Sequence, residues 1–409
     1  MQTARSAADR QVVALNFASM TQHGMILLLV GPMLPNIMVT FGVGESLAGL
    51  LLAMGALGFL CGPLIAGAVI DRVNVRAALR IGFLIEFLIL CVYGLSPVFG
   101  LAVAAHFVML LGSSFVETSA NVMPSLTRTG RPAHAAMNLV HMFFSVGAFV
   151  GPFLIGLYLE ATGEWRPIMF FALVPTGVLL LWTTLVRFPG RKQVSTDAPP
   201  PGSAGETSLG DASPKAAAPG RSRLGTVIRR RSVLLGALTL MLYVGAEVGT
   251  SSWVVYYLQR ELGMSAVASA SGLSILWVCI LAGRFANSVL GNRFSSRSLV
   301  TVSGLTGAAG VVLFLFARSA ASAYPLLGLI GLCFSGVFPN VMGELNRRDP
   351  RRVGTVTAVM AMGAAAGAGL FQWFLGFLAE TVSLTAAFVT PAILQVLFVI
   401  TFQLAVRSE

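Results

Sequence analysis

The chain has 409 residues, of which 56% are hydrophobic and only 11% charged, less than half the roughly 25% charged content of a soluble domain. Its formal net charge is +11, yet the cations are scattered between apolar runs and form no single basic face, which argues against a nucleic-acid partner. There is no Gly-Lys pair, both lysines (Lys192 and Lys215) fall in one polar stretch, and no Ser/His/Asp set or metal cluster stands at catalytic spacing, so neither an ATP-driven pump nor an enzyme is expected.

Apolar runs of the length needed to cross a bilayer, about 20 residues, recur along nearly the whole chain. Windows of about 19 residues predict spans at 12–41, 46–70, 77–96, 98–126, 133–161 and 166–188, then at 232–259, 264–292, 297–318, 322–346, 351–379 and 382–407. The polar stretch up to Gln11 leads into a run too long for a cleaved signal peptide, which predicts a retained first helix. An even number of spans puts both termini on one side. All of the 27 Lys and Arg residues except Arg166, Arg260 and Arg318 fall on that side, so the positive-inside rule makes the termini cytoplasmic. Cys61, Cys91, Cys279 and Cys333 all lie in apolar runs and read as small core residues. Residues 189–231, rich in Pro, Gly, Ser and Ala, are expected to form a flexible cytoplasmic linker. Its closing cluster, Arg229, Arg230 and Arg231, is placed against anionic headgroups. The linker divides the chain into a bundle at 1–188 and a second at 232–409.

The two halves repeat at an offset of about 220 residues. Arg72 and Arg76 after span two correspond to Arg293 and Arg297 after span eight. Asn121-Val122-Met123 answers Asn340-Val341-Met342, and Gly156 to Glu160 answers Gly376 to Glu380. Repeats of this kind predict two bundles around a central cavity.

The loop GAVIDRVNVRAALR, Gly67 to Arg80, resembles the signature loop of the major facilitator superfamily. That resemblance implies an all-α membrane protein, twelve transmembrane helices in two six-helix bundles related by a pseudo-two-fold axis. In such a loop Gly67 lets a helix of the other half come close, Asp71 caps or bonds that helix, and Arg72 and Arg76 hold a cytoplasmic gate. Gly283 and Arg284, through Arg293 to Arg297, form a weaker counterpart. The competing reading is that these arginines only obey the positive-inside rule.

FVETSANVMPS and NLVHMFFSVGAFVGP in spans four and five look similar to the fucose/galactose/glucose:proton symporter branch. So do YVGAEVGTSSWVVYYL, LAGRFANSVL, FSGVFPNVMGELN and AMGAAAGAGLFQWFLGFLAE in the second half. The likeness implies that Glu117 is the protonatable carboxylate and that Asn121, one turn on, lines a sugar path, with Asn138 keeping its place in span five. A carboxylate in the middle of a membrane helix points the same way, because it is costly unless neutralised or paired. Two departures stand out. The branch has an aspartate on span one where this chain reads LLLVGPMLP, and the amide pair early in span five is here His141 and Phe144. His141 is either a replacement hydrogen-bond partner or a packing residue. Sugars present apolar C–H faces and polar edges, which makes Glu247, Trp253, Tyr257, Asn340, Gln372 and Trp373 the expected second-half contacts. Trp and Tyr also gather at membrane interfaces for their own reasons.

The expectation is a multi-pass monomer of the bacterial inner membrane, embedded in the lipid bilayer. It carries a small molecule, a sugar by resemblance, by alternating access, with no cofactor beyond a coupling proton or sodium ion. A drug or metabolite exporter, a sugar uniporter and a nontransporting sensor remain as alternatives; GAFVGPFLIG in span five partly matches the Gly-Pro pattern of antiporters. Glu86 and His106, in spans three and four, are left outside the expected site.

Overall fold

The computed structural model describes residues 2–127, 133–186, 188, 230–290, 293–348 and 353–408, with backbone alone at 2–8, 133–136, 138, 288–290 and 353–355. The expected linker thus lies outside the described residues from 189 to 229. Fourteen helices are described: α1 (Gln2–Leu27), α2 (Val30–Phe41), α3 (Glu45–Arg72), α4 (Val75–Gly94), α5 (Phe99–Leu126), α6 (Ala133–Thr162), α7 (Arg166–Leu185), α8 (Arg231–Leu262), α9 (Ala266–Leu290), α10 (Ser296–Phe314), α11 (Ala320–Phe334), α12 (Val337–Arg348), α13 (Val353–Thr381) and α14 (Leu384–Arg407). They make twelve spans because α1–α2 and α11–α12 are each one span broken in the middle.

Both breaks fall four residues before a proline. Pro32 has no N–H to give the Leu28 carbonyl, and Pro339 none for that of Ser335; the chain leaves the helix at Leu28–Leu29 and at Ser335–Gly336. In span ten the neighbouring Gly336 carbonyl accepts from the Asn340 amide, Nδ2 to O 2.7 Å. The same carbonyl also accepts from the Asn340 backbone N–H at 3.2 Å, so the side chain adds a second bond one residue past the carbonyl that Pro339 leaves free.

The repeat is visible atom by atom at an offset of 221. Gly42 and Gly263 end spans one and seven with φ of 62° and 61°, the left-handed conformation that a helix C-terminus asks of glycine. Asn74 and Ser295 cap α4 and α10, accepting from Ala77 N at 2.8 Å and Ser298 N at 3.1 Å. Gly62 and Gly283 each face a serine of the same half, Ser114 and Ser335, with no room for a Cβ.

Small residues also set the spacing of the innermost helices, as they do where lipid supplies no hydrophobic drive between helices. A Cβ on Gly24 would collide with the Phe144 carbonyl of α6, and one on Gly147 with that of Thr21 in α1. The counterparts Gly245 and Gly367 meet the Phe371 ring and the Met241 carbonyl between α8 and α13. Between the halves, α3 packs on α13 and α6 on α9. By contrast Gly343 has nothing within 4 Å of where a Cβ would stand.

Gly367→Ala should therefore lower the thermal unfolding temperature in detergent, an overpacking cost of about 1–3 kcal/mol. Gly343→Ala should leave it unchanged or raise it, since alanine improves helix propensity by about 1 kcal/mol. Size-exclusion thermal-shift measurements on both variants check this pair.

Candidate functional site

Among the described residues four hydrogen bonds join the two halves on the side away from the termini. Tyr256 Oη donates to Glu45 Oε1 at 2.6 Å, and Ser274 Oγ donates to the Phe149 carbonyl at 2.7 Å. Ser46 N donates to Glu380 Oε2 at 2.7 Å, and Val267 N donates to Glu160 Oε2 at 3.2 Å. The last two are one device used twice. Glu160 ends span five and caps the first turn of span eight; Glu380, its repeat partner, ends span eleven and caps the first turn of span two. Each carboxylate sits at the positive end of a helix dipole. Beside them the backbones touch: a Cβ on Gly156 would stand 2.6 Å from Ala270 Cβ, and one on Gly49 would stand 3.0 Å from the Gln372 carbonyl.

Toward the termini the facing surfaces part. Gly67 has open space where a helix of the other half was expected to approach, and Asp71, Arg72 and Arg293 are exposed. Arg76 does not reach across. Its guanidinium donates to the Thr183 and Thr184 carbonyls at 2.8 and 2.6 Å, tying α4 to the C-terminal end of α7 in the same half. Arg76 is thus committed within the first half.

Glu117 lies on the face of α5 turned to α1. Four residues earlier Ser113 Oγ meets His23 Nδ1 of α1 at 2.8 Å, and three residues later the Ala120 carbonyl accepts from Asn16 Nδ2 at 3.1 Å. Glu117 itself is half-buried, with no hydrogen-bond partner and no neighbouring charge among the described residues. Asn121, one turn further, is also half-buried, and its Oδ1 has no partner.

The second-half acid is placed differently. Glu247 of α8 faces Arg284 of α9 and the Tyr243 hydroxyl, and Arg284 also faces His141 of α6 across the divide. Arg284, expected at a gate, is thus a charge of the membrane interior. Its neighbour Gly283 packs on Ser335 in its own half. Across the divide an aromatic pair meets, Phe144 and Trp277, ring centroids 5.6 Å apart, with the Trp277 Nε1 buried and without a partner among the described residues.

Four expected contacts are corrected. Trp253 is fully buried, its Nε1 donating to the Gln372 carbonyl at 3.1 Å. Tyr257 packs between Phe314 and Phe388 inside the second bundle. Trp373 stacks on Phe377 along an exposed stripe of α13 that includes Leu370. Gln372 is buried at the closed side, accepting from Ser252 Oγ at 3.2 Å. Aromatic rings fill space in a helix bundle as readily as they line a path, and only tertiary contacts separate the two uses. Asn340 is half-buried and bonded to its own helix. The Asn138 side chain lies outside the described residues. Tyr243, Trp277 and the interior role of Arg284 carried no distinguishing signal in the sequence beyond their place on spans seven and eight.

Twelve apolar spans in two repeated bundles, with an acid, an arginine and a histidine turned toward one another between them, define a multi-pass membrane transporter. The chain belongs to the Major Facilitator Superfamily, whose model matches residues 13–372. It is 22% identical over 349 residues to a glucose/galactose transporter of Brucella abortus, the match covering 80% of this chain and 78% of that one. Its fold is similar to that of the E. coli fucose:proton symporter, with TM-score 0.61 and 19% identity, covering 96% of this chain and 98% of that one. It is also similar to a bacterial homolog of the human lysosomal transporter Spinster, with TM-score 0.77 and 15% identity, covering 98% and 97% of the two chains.

If the twin carboxylate caps hold the closed side, Glu160→Gln with Glu380→Gln should shift the protein toward opening there, by roughly two- to fivefold per lost charge. Maleimide labelling of a Ser251→Cys variant, its four native cysteines replaced, reads this from the side away from the termini. Ser251 is buried behind the closure, so labelling should accelerate in the double variant.

Proposed function

We propose that the protein is a secondary active transporter that moves a small polar solute, a sugar, across the bacterial inner membrane by alternating access with a proton carried on Glu117. The observation that carries this reading is the contrast between the two interior acids. Glu247 has a cation, Arg284, beside it; among the described residues Glu117 has none and reaches no hydrogen-bond partner. An uncompensated carboxylate is expensive inside a membrane protein, whereas a carboxylic acid is not, so Glu117 is suited to being loaded with a proton on one side and unloaded on the other. Glu247 with Arg284 is a fixed pair, suited to orienting a solute hydroxyl without changing its charge.

The sugar assignment draws on the glucose/galactose transporter among the relatives and on the groups between the halves. Asn121, His141, Glu247 and Asn340 offer donors and acceptors to a polar edge, and the Phe144–Trp277 pair offers an apolar wall to C–H bonds. The distribution of Lys and Arg places the termini, and with them the open side, in the cytoplasm; the conformation described is then inward-open. A second reading, uncoupled uniport, is favoured by one observation: span one has no carboxylate where the fucose-permease pattern has its aspartate.

Purified protein in liposomes should accumulate a hexose or related sugar when the outside is made acidic. Glu117→Gln should abolish accumulation and reduce it to equilibration, while counterflow exchange with no proton gradient persists. Equal loss of both in a folded protein would assign Glu117 to binding, and accumulation that persists in the variant would assign the proton elsewhere. A wild type that only equilibrates its solute is the uniporter.

A further inference from the structure

Behind the vestibule, inside the first bundle, lies a second acid that the transport reading does not use. Glu86 of α4 is fully buried, with no side-chain exposure. Its surroundings come from three other helices and, among the described residues, carry no charge. From α1, Gln22 Nε2 donates to Glu86 Oε2 at 2.9 Å and to Thr176 Oγ1 of α7 at 3.0 Å. From α5, Ser113 turns its hydroxyl toward the carboxyl. The other carboxyl oxygen, Oε1, is buried with no partner within hydrogen-bonding distance. The basic residues of its own helix, Arg76 and Arg80, are committed to Thr183 and Thr184 at the far end. A lone ionised carboxylate placed there would face an amide, two hydroxyls and hydrocarbon.

Ser113 links this acid to a line of imidazoles. Its Oγ lies 2.8 Å from Nδ1 of His23, a residue 1% exposed whose ring packs against Phe59 and Phe144, at centroid distances of 6.0 and 5.4 Å. Beyond His23, and within electrostatic range of it, is His141 of α6, half-buried on the vestibule side and facing Arg284 of the other half. Glu86, Ser113, His23 and His141 thus lie on α4, α5, α1 and α6, each helix packed on the next in that order. Ser113 is also one turn from Glu117 on the same face of α5.

We propose that the Glu86 carboxyl is a second proton-carrying site of the transport cycle, reached from the vestibule through His141, His23 and Ser113. The transfer balances without any outside reactant. Once the carboxyl rotates to bring its O–H onto Ser113 Oγ, the Ser113 hydroxyl proton passes to Nδ1 of His23 while the Glu86 O–H proton replaces it on Oγ. This leaves a Glu86 carboxylate and a His23 imidazolium, whose Nε2–H then gives its proton on toward His141. Reloading is the reverse. The site supplies a second titratable group in the bundle whose first span lacks a carboxylate. The proposal rests on the proton-coupled reading, and its test separates the two.

The test has two parts, proton-to-solute stoichiometry in liposomes and the infrared difference spectrum on solute binding, for wild type, Glu86→Gln, Ser113→Ala and Glu117→Gln. Glu86→Gln, which keeps the shape and the Gln22 contact, should still exchange solute but move one proton fewer per solute. It should also lose a carboxylic C=O band that Glu117→Gln retains. Ser113→Ala keeps the acid and interrupts the relay, so it should keep the band and slow its hydrogen–deuterium shift at least about tenfold. A wild type that moves no protons sinks the carrier reading of Glu117. A wild type that couples, with Glu86→Gln keeping its full stoichiometry and its band, overturns this proposal alone. If Glu86→Gln does not fold, an unchanged isotope-shift rate in Ser113→Ala overturns it by itself.

Discussion

An ionisable side chain inside a membrane must find a partner, a proton or water, and most of what is distinctive here is an answer to that constraint. The interior acids solve it in three ways. Glu247 is paired with Arg284, Glu86 is enclosed by amide and hydroxyl groups, and Glu117 stands half-buried and unpartnered on a face turned inward to span one. None can tolerate a lipid-facing position, so each fixes the rotation of the helix that carries it. With α5, α8 and α4 oriented in this way, the polar faces of both bundles turn toward the molecular interior.

The same constraint acts on the backbone. Where Pro32 and Pro339 remove donors, the spans break, and in span ten an asparagine side chain adds a second bond to the neighbouring Gly336 carbonyl. Glycine then decides how near the helices come: Gly24 and Gly147 in one half, Gly245 and Gly367 in the other, each against a carbonyl or ring that leaves no room for a methyl. Two equivalent bundles result, and their closed seam is built from equivalent parts, a glycine contact and a carboxylate at a helix start on each side of the axis.

How much of this was legible beforehand follows the physics of each feature. Span number and limits were legible because hydropathy is a property of many residues at once, and the described helices match the expected spans to within a few positions at most ends. The repeat was legible because glycines and caps recur at fixed register; Gly156 and Glu160 answering Gly376 and Glu380 proved to be the two halves of one closure. Single aromatic residues were not legible. Trp253, Tyr257 and Trp373 sit on helices that also carry interior polar groups, but the first two are buried in one hydrophobic core and the third lies on the exposed stripe of α13. Arg284 was misread because its position in the repeat matched a gate loop, whereas its partners Glu247 and His141 come from other spans that no local pattern connects to it. Glu86 was set aside as lying on a peripheral helix, yet depth in the bundle depends on side-chain direction as much as on which helix is involved.

The stacked rings of Trp373 and Phe377 have a bearing on the closed seam. They occupy the exposed stripe of α13 in the same two turns that contribute Gly376 to the backbone contact and Glu380 to the helix cap. Indole rings prefer the headgroup boundary, so the depth at which that leaflet's boundary lies pulls directly on the segment that closes the molecule. Bilayer thickness and lipid composition therefore bear on the stability of that seam.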